Sequence, residues 1–281
     1  MRFAFVTCVQ IGKSCIEEIY NLGQSIELVI TLKNNKAQNK SGRIFLDKFC
    51  MEKDIELLKI DNINDKLCQE KIIELNIDWL FIIGWSQIAK AEILKAPKFG
   101  AIGAHPTLLP QGRGRASIPW AILKSLKYTG VTFFKLDENV DTGKIIIQEK
   151  IYIDNNENAS TLYHKVVLMH MKLISEIVKI ILNSSISFKE QNENYASYWP
   201  GRKPEDGELN FNGKVSDADK LIRATTKPYP GAFFIENGLK IIVWKAKIVK
   251  QNNEELFNNR NFLKFKDGFL EIQEFTEEKI G

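Results

Sequence analysis

Trp79-Leu80-Phe81-Ile82-Ile83 is an unbroken apolar run that stops at Gly84. It is too short for a helix, and it lacks the polar alternation of a strand with one wet face. It therefore predicts a strand covered on both sides, as in a parallel sheet. The flanking sequence supports this. Toward the amino terminus, Asp65–Leu75 predicts a helix, Ile55–Ile60 a strand and Ile44–Lys53 a helix. Ile26–Thr31 and Arg2–Thr7 predict two more strands. Between them Ser14 and Glu17 have capping-box spacing, Cys15, Ile16, Ile19 and Tyr20 form a helical stripe, and Gly23 offers a stop. Toward the carboxyl terminus, Ala101–Ala104 predicts another short strand.

This alternation predicts an α/β fold: a Rossmann-like domain with a mostly parallel sheet and helices on both faces. After residue 130 the pattern changes. Val131–Leu136 and Ile145–Ile153 predict strands around a polar loop, Asp137–Lys144, and residues 160–183 predict a long amphipathic helix. The stretch Asn192–Gly207, with Trp199-Pro200-Gly201-Arg202-Lys203-Pro204, reads as a crossing linker. Beyond it come a short helix, Ser216–Ala224, and strands in Lys240–Val249 and Phe262–Phe275. Asn237-Gly238 and Asp267-Gly268 are hairpin signals among them. The expected organisation is a Rossmann-like domain over 1–190, a linker over 191–207 and a small β-rich, barrel-like domain over 208–281.

A net charge of +4 spread over isolated lysines does not specify nucleic acid, though it would favour a phosphate-bearing substrate. Cys8, Cys15, Cys50 and Cys68 form no C-x-x-C pair and read as buried reduced thiols. No window approaches a membrane span, and the first apolar run is too short for a signal peptide, so a cytoplasmic location is expected. The turn Thr7-Cys8-Val9-Gln10-Ile11-Gly12-Lys13 has one glycine where a dinucleotide fingerprint needs three, which argues against NAD or ATP there.

The chemistry concentrates in Phe99–Trp120. A short strand ends at Ala104, and His105 follows at the carboxyl end, where open α/β sheets bind ligands. Pro106 and Pro110 fix the turn after it, and Gly112-Arg113-Gly114-Arg115 combines close approach with planar donors for phosphate or carboxylate. In the later loop, Asp141 precedes Thr142-Gly143, where a carboxylate could orient an imidazole. Asp137 and Glu138 read as a solvated turn. His164 and His170, on the long helix, read as structural.

Gly103-Ala104-His105-Pro106-Thr107-Leu108-Leu109-Pro110 followed by Val140-Asp141-Thr142-Gly143 resembles the formyltransferase family that uses 10-formyltetrahydrofolate. That family's motif is Asn-x-His-Pro-Ser-Leu-Leu-Pro with a later Asp-x-Gly loop. Arg223-Ala224-Thr225-Thr226-Lys227-Pro228-Tyr229-Pro230-Gly231-Ala232-Phe233 resembles its junction into a barrel-like second domain. The resemblance implies formyl transfer to a primary amine, without a metal. His105 would move a proton or donate a hydrogen bond, and Asp141 would orient it. The pterin would lie near Trp85, Ser86, Gln87 and Ile88 and along Leu136, Asp137 and Val140, and Thr107 would face substrate. The family asparagine falls at Gly103. Removing such a donor commonly costs about 10²–10³-fold in rate, so a water, another donor or protonated His105 takes its place, or activity is impaired.

For the acceptor, the short Lys33–Arg43 stretch and the run Arg113-Gly114-Arg115-Ala116-Ser117 are closer to enzymes acting on nucleotide-linked amino sugars than to methionyl-tRNA formyltransferase. A sugar acceptor is therefore expected, with the transfer-RNA enzyme and a non-catalytic binding relative as alternatives. Arg113 and Arg115 are candidate substrate contacts, though each suits a structural ion pair equally. The family often pairs as homodimers.

Overall fold

A computed structural model describes residues 1–36, 42–249 and 261–279. The chain forms two compact units. The first comprises Met1–Gly114, Thr129–Tyr152 and Lys165–Trp199, and the second Arg115–Tyr128, Ile153–His164 and Pro200–Gly281. In chain order, strand β1 (Phe3–Val6) leads to helix α1 (Gln10–Asn21), β2 (Leu28–Leu32), α2 (Asp47–Glu52), β3 (Glu56–Ile60), α3 (Lys66–Glu74), β4 (Trp79–Ile82), α4 (Ala91–Leu94) and β5 (Gly100–His105). Next come β6 (Arg113–Gly114), α5 (Ser117–Leu123), β7 (Tyr128–Lys135), β8 (Ile145–Tyr152), α6 (Ala159–Leu182) and β9 (Tyr198–Trp199). The last are α7 (Val215–Thr225), β10 (Ala232–Glu236), β11 (Leu239–Val249), β12 (Phe262–Phe265) and β13 (Gly268–Lys279).

The first unit holds a seven-stranded sheet of order β3-β2-β1-β4-β5-β7-β8. The five strands from β3 to β5 are parallel, and β7 pairs antiparallel to β5. Every residue of β1, β2 and β4 is buried, as expected where both faces of a sheet are covered. Ala4, Val6, Leu28, Ile30, Leu80 and Ile82 share one core cluster with Ile72 of α3 and Ile93 of α4. The strand order reverses at β1, so the carboxyl ends of β1 and β4 flank a topological switch point. The loop carrying Trp85 leaves β4 there, and β5 is the next strand.

Most observed elements lie within a few residues of those predicted, but the start of α1 does not. The helix begins at Gln10 and not at the Ser14 capping box. Gly12 sits so close to β1 that a Cβ on it would lie 1.9 Å from Thr7 Oγ1. The chain thus turns into helix directly after the strand. Ser14 Oγ accepts from Gln10 Nε2 at 3.1 Å, and Glu17 pairs with Lys13. Gly23, at φ 71°, does end the helix. Of the Lys33–Arg43 stretch, residues 37–41 lie outside the described residues. All four cysteines are buried, and none of them forms a disulfide.

The second unit is built on a curled antiparallel sheet of order β10-β11-β13-β12, a half-barrel. Register shifts on either side of Lys245 mark irregularities where β11 meets β13. Val215, Ala218 and Ile222 of α7 pack with Phe234, Ile241, Val243 and Leu270 of the sheet. Asn237 and Gly238 join β10 to β11 with φ of 50° and 77°, the left-handed pair of a tight hairpin turn. Among the described residues, no helix is long and apolar enough to cross a membrane.

In the first unit, His170 of α6 is 2% exposed, lies against Phe133 and donates from Nδ1 to the Val166 carbonyl at 2.8 Å. Burial, opposed by the Val166 hydrogen bond and aided by the nearby His105, brings its pKa down to about 4. The unfolded chain binds this proton near pH 6.5, so stability is full above that value. It falls as pH drops from about 6.5 to about 4, by roughly 3 kcal/mol. We expect His170→Gln to lose less stability over that interval than the wild type, by about that amount, when urea unfolding is followed at both ends of it.

Candidate active site

His105 is the last residue of β5, paired across the antiparallel ladder with Thr132. It is 7% exposed. Its Nε2 lies 2.8 Å from the Gly112 carbonyl oxygen. A carbonyl oxygen only accepts, so Nε2 carries a hydrogen and donates it. In the neutral ring the lone pair is then on Nδ1. That nitrogen faces Asp141 Oδ2 at 3.5 Å, longer than a closed hydrogen bond. The same Oδ2 accepts from the Gly114 N–H at 2.8 Å. Backbone groups of one loop thus hold both members: Gly112 sets the tautomer and Gly114 grips the carboxylate.

The Asp141 backbone is left-handed, at φ 57°, a conformation that a non-glycine residue holds at some cost. Two residues on, Gly143 has no room for a side chain, since a Cβ there would lie 1.8 Å from the Lys135 carbonyl oxygen. The Asp-Thr-Gly order therefore has a steric basis at its third position. Asp137 shapes the same loop. Its Oδ1 accepts from Asn139 N at 3.1 Å and Thr142 Oγ1 at 2.7 Å.

The loop after His105 is held by side chains that sequence reading did not single out. Thr132 Oγ1 donates to the Thr107 carbonyl at 2.7 Å and accepts from Leu109 N at 3.1 Å. Gln148 Nε2 donates to the Leu109 carbonyl at 3.0 Å and to Thr132 Oγ1 at 3.1 Å. Ser197 Oγ accepts from Gly112 N at 2.9 Å across 85 residues of sequence. No local pattern marks such partners, because they meet only through the sheet and the return of the chain.

Of the two expectations for Arg113, a substrate contact or a structural ion pair, the structure displays the second. Arg113 is 0% exposed. Nε and Nη2 donate to Gln191 Oε1 at 3.1 and 2.8 Å. Nη1 donates to Glu193 Oε2 and to the Tyr198 hydroxyl, both at 2.8 Å, and Nη2 to Glu193 Oε1 at 2.6 Å. All five guanidinium hydrogens are thereby matched within the chain. The hydrogen bond from Arg113 holds the Glu193 carboxyl below its usual range. Arg115 belongs to the second unit and is exposed, with its side chain running past Gly201.

The residues expected around the pterin are placed as follows. Gln87 uses both ends of its amide on the fold, accepting from Ile63 N at 2.8 Å and donating to the Asp61 carbonyl at 2.9 Å. Ser86 and Ile88 are exposed beside it. Trp85 and Leu136 both pack on the core cluster of the sheet, and Asp137 and Val140 are exposed on the later loop. Trp85 Nε1 and Thr107 Oγ1 are buried and, among the described residues, have no hydrogen-bond partner. Among the described residues their polar capacity is unmatched.

At Gly103 the structure shows what occupies the room that a side chain would take. A Cβ there would lie 2.7 Å from Leu136 Cδ2 and 3.0 Å from its Cγ. The isopropyl group of Leu136 fills the space that a side chain at 103 would need. The atoms nearest to that position are thus all carbons of one apolar group.

The formyl transferase family matches residues 10–178, and its C-terminal domain matches residues 202–279. The bifunctional polymyxin resistance protein ArnA of Wigglesworthia glossinidia brevipalpis is 32% identical over 246 residues, which is 88% of this chain and 37% of that protein. The chain therefore spans little more than a third of that relative's length. WlaRD, a sugar 3N-formyl transferase solved in the presence of dTDP and 5-N-formyl-THF, superposes with a TM-score of 0.68 at 22% identity, over 100% of this chain and 98% of WlaRD. The N-formyltransferase from Helicobacter canadensis, in complex with folinic acid and dTDP-3-aminofucose, gives 0.71 at 21% identity, over 98% of this chain and 99% of that one. At those identities the two structures speak for the fold. The family match covers more than half of the sequence, and the chain belongs to the formyl transferase family of enzymes.

Proposed function

We propose that this chain transfers the formyl group of 10-formyltetrahydrofolate to the primary amine of a nucleotide-linked amino sugar. The observation that carries the reading is the His105–Asp141 pair, with Nε2 tied to Gly112 and Nδ1 facing the carboxylate at 3.5 Å. Membership of the family supports the reaction class. The dTDP and dTDP-3-aminofucose named with the two solved relatives support the acceptor class.

Bound folate would supply a formyl carbon open to attack by an amine. The remaining work falls to this chain. Residues 85–88, Leu136, Asp137 and Val140 would hold the pterin, with the unmatched Trp85 Nε1 available as a donor. The buried hydroxyl of Thr107 would face the acceptor. His105 Nδ1 would take the amine proton, and the ring it leaves positive would be steadied by Asp141 Oδ2; as the new amide forms, the bond from the formyl carbon to the folate N10 would break and that nitrogen would receive the proton, releasing tetrahydrofolate. Once protonated, Nδ1–H is also a hydrogen-bond donor at the site. With Leu136 lining the space beside Gly103, His105 carries the stabilisation that a side-chain amide would otherwise share.

The test is incubation with 10-formyltetrahydrofolate and dTDP-linked 3-amino and 4-amino sugars, followed by mass for the gain of one carbonyl. We expect a gain, with kcat reduced about 10²–10⁴-fold in His105→Ala and about 10²-fold in Asp141→Asn. No gain on any sugar, with formylation of initiator methionyl-tRNA instead, would overturn the acceptor; no gain on either would overturn the reaction.

A second expectation concerns packing. Gly103→Asn alone should lower stability by about 1–3 kcal/mol, because it crowds Leu136. Adding Leu136→Ala should recover part of that loss. Purely additive changes in thermal unfolding would show that the two side chains do not compete for one space.

A further inference from the structure

Gln191 stands 50 residues from Asp141 in sequence and 78 from Arg113, yet its side-chain amide joins the two. Oε1 accepts from Arg113 Nε and Nη2 at 3.1 and 2.8 Å. Nε2 donates one hydrogen to the Asp141 carbonyl and the other to the Gly143 carbonyl, both at 2.8 Å. The amide is saturated at both ends. Its two carbonyl targets bracket Thr142, immediately after the left-handed residue Asp141. A conformation of that kind persists only when its surroundings over-determine it.

Arg113 reaches Asp141 by a second route. The residue after it, Gly114, gives its N–H to Asp141 Oδ2 at 2.8 Å. The strand β6 that carries both residues pairs with β9, and the Tyr198 hydroxyl at the start of β9 accepts from Arg113. Asp141 is therefore gripped at its main chain through Gln191 and at its carboxylate through Gly114. Both grips are anchored on one buried guanidinium.

We infer that Gln191 and Arg113 are positioning residues that set the distance and angle of the Asp141 carboxylate against His105. The inference rests on the assignment of Asp141 to the catalytic pair. It needs an amide, not a carboxylate, at 191. A glutamate would still accept from Arg113, and with a matching charge, but it would aim an oxygen at two carbonyl oxygens in place of two donated hydrogens. The Asp141–Gly143 segment would have to move.

Gln191→Glu is thus the discriminating variant. We expect kcat to fall about 10–10²-fold, in line with the cost of displacing a catalytic group by about 1 Å, while KM for the acceptor stays within about twofold. Backbone amides of residues 137–144 should exchange hydrogen faster than in the wild type. Wild-type kcat and unchanged exchange would mean that Gln191 only matches the charge of Arg113, which overturns the inference. Gln191→Asn, which keeps both amide ends but is one methylene too short to span them, should show the same two changes and serves if the glutamate variant does not fold. In an Asp141→Asn background, Gln191→Glu should cost no further kcat, and a full additional loss would overturn the inference. Failure of the formyl-transfer reading would appear separately, as a wild type without turnover, and the exchange comparison would still decide whether the strut holds the loop.

Discussion

A guanidinium with no solvent exposure must have its donors matched within the protein, because a buried unpaired charge costs several kcal/mol. Arg113 meets that requirement with Gln191, Glu193 and Tyr198, and three parts of the chain are tied together in doing so. The stretch 191–199 is drawn onto the β6 strand, the Asp141 loop is drawn onto Gln191, and the glycine after Arg113 is left pointing its N–H at the Asp141 carboxylate. Glu193 remains largely exposed, so one partner of the buried charge is still hydrated. The arrangement is less an ion pair that stabilises the fold than a fixed frame, in keeping with the small net worth of many buried pairs.

Within that frame the geometry of the candidate site depends on main-chain groups. The Gly112 carbonyl decides which imidazole nitrogen carries the hydrogen, and the Gly114 N–H decides which way the Asp141 carboxylate turns. Both glycines have positive φ, and a Cβ on either would strike Trp199. The close pairing of β6 with β9 thus has a steric condition that only glycine meets. Thr132 and Gln148 then hold the intervening loop from the β7–β8 side of the sheet. His170, buried behind Phe133, adds a second imidazole whose pKa is lowered chiefly by burial, so it stays neutral and does not compete for a proton near neutral pH.

Gly103 and Leu136 share one space. Position 103 has no side chain, and an aliphatic group just past the end of β7 occupies the room that one would need. Close packing is thereby kept by carbon atoms. On the proposed reading, the electrostatic demand at the site falls on fewer groups.

Local pattern was enough to determine the kinds of element and their order. The run Trp79–Ile83 could only be a strand covered on both sides, and Asn237-Gly238 could only be a tight turn between strands, because short-range sterics and periodicity act within a few residues. The His105 and Asp141 motifs were also visible as local strings. Where competing signals were local and weak, tertiary packing prevailed: Ser14 and Glu17 spell a helix start, but the contact of Gly12 with Thr7 begins the helix at Gln10. Arg113 could not be read from its neighbours, since a guanidinium in a Gly-Arg-Gly-Arg run looks the same whether it meets a ligand or is buried. Its three partner residues, the reach of Gln191 to Asp141 and the filling of the Gly103 space by Leu136 join residues that are distant in sequence. Only the folded backbone, which sets those distances, decided them.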